Sequence, residues 1–187
     1  MTPDTAEPPA PDPLVVGLRA GHPDAIAAAF RTWQAPIYRF LHRLSGSAPI
    51  AEELVQATFL RLCRHGRLLR ADTRLGPWLY TVARNLYRSH RRWSWLDGTR
   101  LLELAGAVPA ARPPDAFDEV AASEAARRLS AAVSGLPAAA REVFVLVAFE
   151  GLSPEAAAEV LEIRPDAARQ RLARARAKLN EIMGETS

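Results

Sequence analysis

The stretch PDAARQRLARARAKL, Pro165 to Leu179, offers guanidinium and carboxamide groups and nothing that could break a covalent bond. Asp166, Arg169, Gln170, Arg171 and Arg174 crowd the start of one helical run. Arg matches guanine edges and Gln matches adenine edges, while basic residues farther along a helix hold phosphates. A second basic set lies upstream: between Arg61 and Arg100, ten Arg face only Asp72 and Asp97, a local excess of +8. The following stretch, Asp97 to Val120, reverses the balance with five acids against two Arg. One segment is suited to anions and the next is not, although the whole chain carries a formal charge of only +3 and a single lysine, Lys178.

Other chemistries lack their residues. No G-x-x-x-x-G-K-[ST] or H-E-x-x-H is present, and His22, His42, His65 and His90 form no ligand spacing. Cys63 has no partner for an intrachain disulfide, and with His65 it makes only half of a structural zinc set, so it reads as a small apolar helix residue. Neither catalytic residues, a metal nor a cofactor is expected. No apolar run approaches the roughly 18 residues that span a bilayer, and the acidic, Pro-rich start MTPDTAEPPAPDP is no signal peptide. A cytoplasmic protein without an added C-terminal sensory domain is expected.

The elements that must position these side chains read as helices throughout. Residues 1–13 are expected to be a disordered tail, with five prolines and almost no large apolar group. From Leu14 onward Ile26, Phe30, Trp33, Ile37, Phe40, Leu41 and Leu44 recur at steps of three and four, one amphipathic face. Ser47 and Pro49 announce a second helix, which turns Leu54, Val55, Thr58, Phe59 and Leu62 inward and Glu52, Glu53, Gln56 and Arg61 outward; Gly66 ends it. A third helix runs from Pro77, with Trp78, Leu79, Val82, Ala83, Leu86 and Tyr87 apolar and Arg84, Arg88, Arg91 and Arg92 on a solvated basic side.

Residues 97–116 mix Gly, Pro and small residues without a period, the composition of a linker. As a coil it spans about 25 Å, and roughly 65 Å pulled straight, so the two halves need not pack together. Four helices follow from Phe117 to Met183, punctuated by Gly135 with Pro137 and Gly151 with Pro154. The last two form a helix-turn-helix. Ser153 caps the first, Pro154 opens it, and Ala157, Val160 and Leu161 are its buried stripe. In the second, Ala168, Leu172, Ala175 and Leu179 share the buried face opposite Arg169, Gln170, Ala173, Arg174 and Ala177. A solvated Arg/Ala helix is the plainer reading of RQRLARARAK; the short turn before it favours DNA recognition.

Three segments, in order, resemble the extracytoplasmic-function (ECF) sigma factors of bacterial RNA polymerase, over roughly Leu14 to Met183. AEELVQATFLRLCR is similar to the region 2 helix with the pattern D/E-L-V-Q-E-x-F, Ala57 standing where the second acid is usual. PWLYTVARNLYRSHRR resembles W-L-Y-x-I-A-R-N-L of the same region, and SGLPAAAREVFVLVAFEGLSPEAAAEVLEI with the following helix resembles region 4. Departures fall at Glu162 for the turn Gly, at Arg164 for a capping Ser, and at Ala156 and Ala157. A non-Gly residue in a left-handed turn costs about 1 to 2 kcal/mol and a lost cap about 1 more, partly offset by Pro165 and Asp166.

The resemblance implies an all-α chain of two small helical domains, region 2 over 14–96 and region 4 over 117–187, joined by a flexible linker. It implies an alternative sigma factor that binds core RNA polymerase and directs promoter-specific initiation, with promoter DNA and an anti-sigma factor as partners. Glu52, Glu53, Leu54, Gln56 and Phe59 would support polymerase docking, Leu54 and Phe59 by packing. Arg74, Arg84, Asn85, Arg88, Arg91 and Arg92 would meet the minus-10 element, and the loop Gly66 to Gly76 would line a pocket for a flipped base. Arg164, Asp166, Arg169, Gln170, Arg171 and Arg174 would meet the minus-35 element. Trp78 and Tyr80 read as core in preference to stacking; Trp93 and Trp95 could stack on bases or cover the linker's start. The rival reading is a helix-turn-helix regulator that never joins polymerase.

Overall fold

The computed structural model describes residues 12–96 and 124–184, and among them there are helices and turns but no strand. The first half is built from α1 (Pro13–Ala20), α2 (Pro23–Ser45), α3 (Ala48–His65) and α4 (Leu75–Leu96), with a 3-10 turn at Gly66–Leu68. The second half is α5 (Glu124–Ser134), α6 (Ala138–Phe144), a π-helical turn at Val145–Phe149, α7 (Pro154–Leu161) and α8 (Pro165–Gly184).

Helix α1 starts inside the stretch expected to be tail. Asp12 and Pro13 form an N-cap and first-position pair, the Asp12 Oδ1 accepting from the Leu14 amide at 2.9 Å. Residues 1–11 and the expected linker 97–116, with the Phe117 start of the following helix, lie outside the described residues.

The expected stripe of α3 is buried, Leu54, Val55, Thr58, Phe59 and Leu62 all facing in, while Glu52, Glu53, Gln56 and Arg61 are exposed. Cys63 is exposed rather than packed, because it falls outside that stripe. Helix α4 begins at Leu75, two residues before the expected Pro77, which the first helical turn tolerates. Its start is pinned by Gly76: a Cβ there would come within 2.4 Å of the Trp33 indole, so only glycine lets α2 and α4 approach this closely.

The two halves pack together, although the linker is long enough not to require it. Helix α4 lies against α7, α2 lies against the π turn, and the buried apolar residues of both halves join one cluster. A linker long enough to allow separation does not enforce it. The contact is closed by polar pairs that cannot be read from either half alone.

Candidate nucleic-acid interface

The helix-turn-helix is set by its caps. Ser153 Oγ accepts from the Ala156 amide at 3.1 Å and Pro154 takes the first helical position, as the sequence suggests. At the other end of α7, Glu162 is left-handed, φ 55 and ψ 44, the one described non-Gly residue with positive φ. The Ile163 amide bonds the Ala158 carbonyl at 3.0 Å and the Glu162 amide bonds that of Glu159 at 3.1 Å. These two bonds make a Schellman cap, a motif that glycine usually closes. The Arg164 carbonyl then accepts from the Ala168 amide at 3.1 Å and starts α8 without a side-chain cap of the Ser type.

Helix α8 buries Ala168, Leu172, Ala175 and Leu179, so Arg164, Asp166, Arg169, Gln170 and Arg174 are exposed and Arg171 is half-buried. The side chains are not equally available. Arg169 forks between Asp166 Oδ1 at 2.7 Å and Glu155 Oε1 at 2.8 Å. A backbone hydrogen bond, then that guanidinium, holds the Glu155 carboxyl below its ordinary value. Gln170 and Arg174 present exposed polar ends beside this braced arginine.

On α4 the expected basic side divides. Asn85, Arg88 and Arg92 are exposed, and Arg91 is half-buried with its guanidinium 5.9 Å from the Tyr87 ring centre. Arg84 is not solvated: its side chain is 4% exposed and its Nε donates to Glu142 Oε2 at 2.9 Å, across the contact between halves. The helical period that groups Arg84 with Arg88 and Arg91 is correct, but α6 covers that end of the face. Arg74, in the loop before α4, also reaches the second half, 3.4 Å from Glu159 of α7.

Two further bridges hold the halves. Tyr80, 2% exposed and therefore core as expected, donates its hydroxyl to Glu150 Oε2 at 3.0 Å, and Arg43 Nη1 reaches Glu150 Oε1 at 3.2 Å. The π turn delivers Glu150 there, its amide bonding back to the Val145 carbonyl at 3.1 Å, while Phe149 lies 4.4 Å beneath the Arg43 guanidinium. Burial pushes the Glu150 carboxyl up, while the Tyr80 hydroxyl and Arg43 hold it back; burial and the Glu150 charge push the Tyr80 phenol up.

On α3 the polar set Glu52, Glu53 and Gln56 is exposed, while Leu54 and Phe59 pack inside, Phe59 edge-on to Phe30 at 4.8 Å. Sequence reading missed Leu60, which is 57% exposed and lies one turn beyond Gln56 on the Glu53–Gln56 side. Its signal was present: Leu60 is apolar yet falls outside the 54-55-58-59-62 stripe. The loop before α4 holds a second such residue, Leu68, 77% exposed beside the buried Leu69. Trp93 is 60% exposed. Among the described residues no cluster of His, Cys, Asp and Glu could hold a metal, and no helix is long and apolar enough to cross a membrane.

Residues 29–95 match the family model described as Sigma-70 region 2, and residues 126–179 match Sigma-70, region 4. The RNA polymerase sigma factor CarQ of Myxococcus xanthus is 34% identical over 168 residues, covering 90% of this chain and 94% of that protein. The ECF RNA polymerase sigma factor EcfG of Rhodopseudomonas palustris is 33% identical over 176 residues, 91% of this chain and 87% of that one. The chain belongs to the ECF sigma factors. The structure also resembles the sigma factor RpoE of Bartonella quintana, solved in complex with the anti-sigma factor NepR, with TM-score 0.68 and 25% identity over 83% of this chain and 94% of that one. In this ECF sigma factor α3 and the basic part of α4 fall within region 2, and α7 with α8 up to Leu179 within region 4.

Proposed function

We propose that this chain acts as an alternative sigma factor: region 2 docks on core RNA polymerase through α3 and meets the minus-10 element through α4, while α8 meets the minus-35 element. The reading is carried by one observation, that region 2 and region 4 occur in order within a single chain, over 29–95 and 126–179. A regulator built only on a helix-turn-helix would have no use for the first.

The residues divide by what they can do. Glu52, Glu53 and Gln56 are exposed and make the docking contacts, with Leu60 adding apolar area beside them; Leu54 and Phe59 hold the helix in place from inside. Asn85, Arg88 and Arg92 are open to a DNA strand. Arg84 and Arg74 join them only when the two halves part, because Glu142 and Glu159 now engage them. Separating strands needs an apolar surface beside a basic path, and the exposed Leu68, in the turn between α3 and α4, supplies a candidate. At the minus-35 element Gln170 and Arg174 read bases, Arg164 and Arg171 hold phosphates, and Arg169 with Asp166 braces the helix start.

An anti-sigma factor is the regulatory partner this reading implies, since the similar RpoE was solved bound to one. Run-off transcription with purified core polymerase and a set of candidate promoters tests the proposal. Transcripts that depend on this chain are expected; repression or silence on every template would favour the regulator.

A further inference from the structure

The contact between the halves leaves an open cleft of 590 Å³. One wall is basic: Arg84, Arg88, Arg91 and Arg92 come from α4 and Arg171 from α8. Against these five charges stand Glu142 and Glu162, and Glu142 is already paired with Arg84. An apolar stretch of wall comes from Ala138, Ala139, Leu161 and Ile163.

Two observations show that the basic wall is incompletely satisfied. Arg84 is buried, and although its Nε is bonded to Glu142, its Nη1 has no hydrogen-bond partner; the buried Arg91 Nε has none either. Buried donors are nearly always paired, because leaving a charged group's donor dry and unbonded is costly. Arg88, Arg92 and Arg171 make no ion pair among the described residues.

We propose that this cleft is a binding site for a small polyphosphate anion, bridged between the two halves by the α4 arginines and Arg171. Guanidinium groups bind phosphate oxygens in pairs of parallel hydrogen bonds, and Arg88, Arg92 and Arg171 keep such pairs of donors outside any ion pair among the described residues. The volume lies within the roughly 300 to 1,000 Å³ of small-molecule sites, which suits a compact ligand and not a duplex. The apolar wall gives a nucleoside moiety somewhere to lie, so a nucleoside triphosphate fits the whole cleft and inorganic triphosphate only its basic side.

Occupancy ties the halves together and engages Arg84, Arg88, Arg91 and Arg92, so the ligand and a DNA strand compete for them. That consequence rests on the reading above; the binding itself does not, and it is measured without polymerase or DNA.

The test is calorimetric titration of the full chain with ATP, GTP and inorganic triphosphate, using two variants that each remove one charge from α8. Arg171 lines the cleft, while Arg176 is exposed and does not. Arg171→Gln is expected to weaken binding at least about tenfold more than Arg176→Gln, because it removes a bridging charge-assisted contact. Equal weakening by both variants means diffuse attraction and overturns the proposal, as does the absence of saturable binding. Tyr80→Phe gives an independent arm, since it loosens the contact between halves without changing charge and away from the cleft. It is expected to weaken binding severalfold; unchanged affinity overturns the claim that both halves form the site. Tighter binding of the nucleotides than of inorganic triphosphate identifies the ligand as a nucleotide, and equal affinity with the Arg171 effect intact identifies inorganic polyphosphate.

Discussion

Replacing Glu162 with glycine should stabilise the protein. Glu162 closes the Schellman cap of α7 at φ 55 and ψ 44, is exposed, and makes none of the ion pairs among the described residues, so little packing is lost with its side chain. Releasing a non-Gly residue from left-handed backbone is worth about 1 to 2 kcal/mol, and the added freedom of glycine in the unfolded chain takes back about 0.4 to 1. The net gain is about 0.5 to 1 kcal/mol, which raises Tm by roughly 1 to 4 °C in a chain of this size. Urea unfolding of the wild type, Glu162→Gly and Glu162→Ala measures it. Alanine removes the charge but keeps the Cβ strain, so the difference between the two variants isolates the backbone. If glycine is no more stable than alanine, the turn in solution is not left-handed and the cap described for α7 is wrong.

Other outcomes follow from the same geometry. Glu142→Ala leaves Arg84 buried and uncompensated, so urea unfolding should register a loss of about 3 to 5 kcal/mol, with Glu142→Gln milder. An unchanged midpoint would mean that the halves are apart in solution. Because burial raises the Glu150 pKa above its ordinary 4.5, the stability this group contributes is present below that value and is lost as pH rises through the raised one. The stability of the wild type relative to Glu150→Gln should therefore fall as the pH rises above about 4.5, and a rise instead contradicts the assigned direction. Gln170→Ala should lose about 1 to 3 kcal/mol of discrimination at one minus-35 position, read by binding to single-base variants; an equal loss on every sequence means a phosphate contact.

Much of the fold was legible because its signals are local. The stripe 54-55-58-59-62, the Ser153-Pro154 start and the 168-172-175-179 face each lie within a few turns of one helix, where period and capping dictate burial. The Glu162 anomaly was legible for the same reason, since the turn demands a backbone that glycine would otherwise supply. What joins residues 58 or 70 positions apart was not. Glu142 lies on the apolar side of α6 and Glu150 at the end of an apolar run, and nothing near either in sequence names Arg84 or Tyr80 as its partner. The π turn that carries Glu150 into place also departs from the 3.6-residue period on which the helix was read. The basic face of α4 was accordingly read as wholly solvated, and Arg84 was misplaced.

The central claim is that one chain docks on polymerase through α3 and selects promoters through both halves. Its most direct measurement is run-off transcription with core polymerase, comparing the wild type with a Glu53→Arg, Gln56→Ala double variant. Promoter-dependent transcripts are expected with the wild type and their loss in the variant, together with weakened core binding and an unchanged unfolding midpoint, since both side chains are exposed. Full transcription by the variant would contradict the docking surface, and no transcription by the wild type on any promoter would contradict the function.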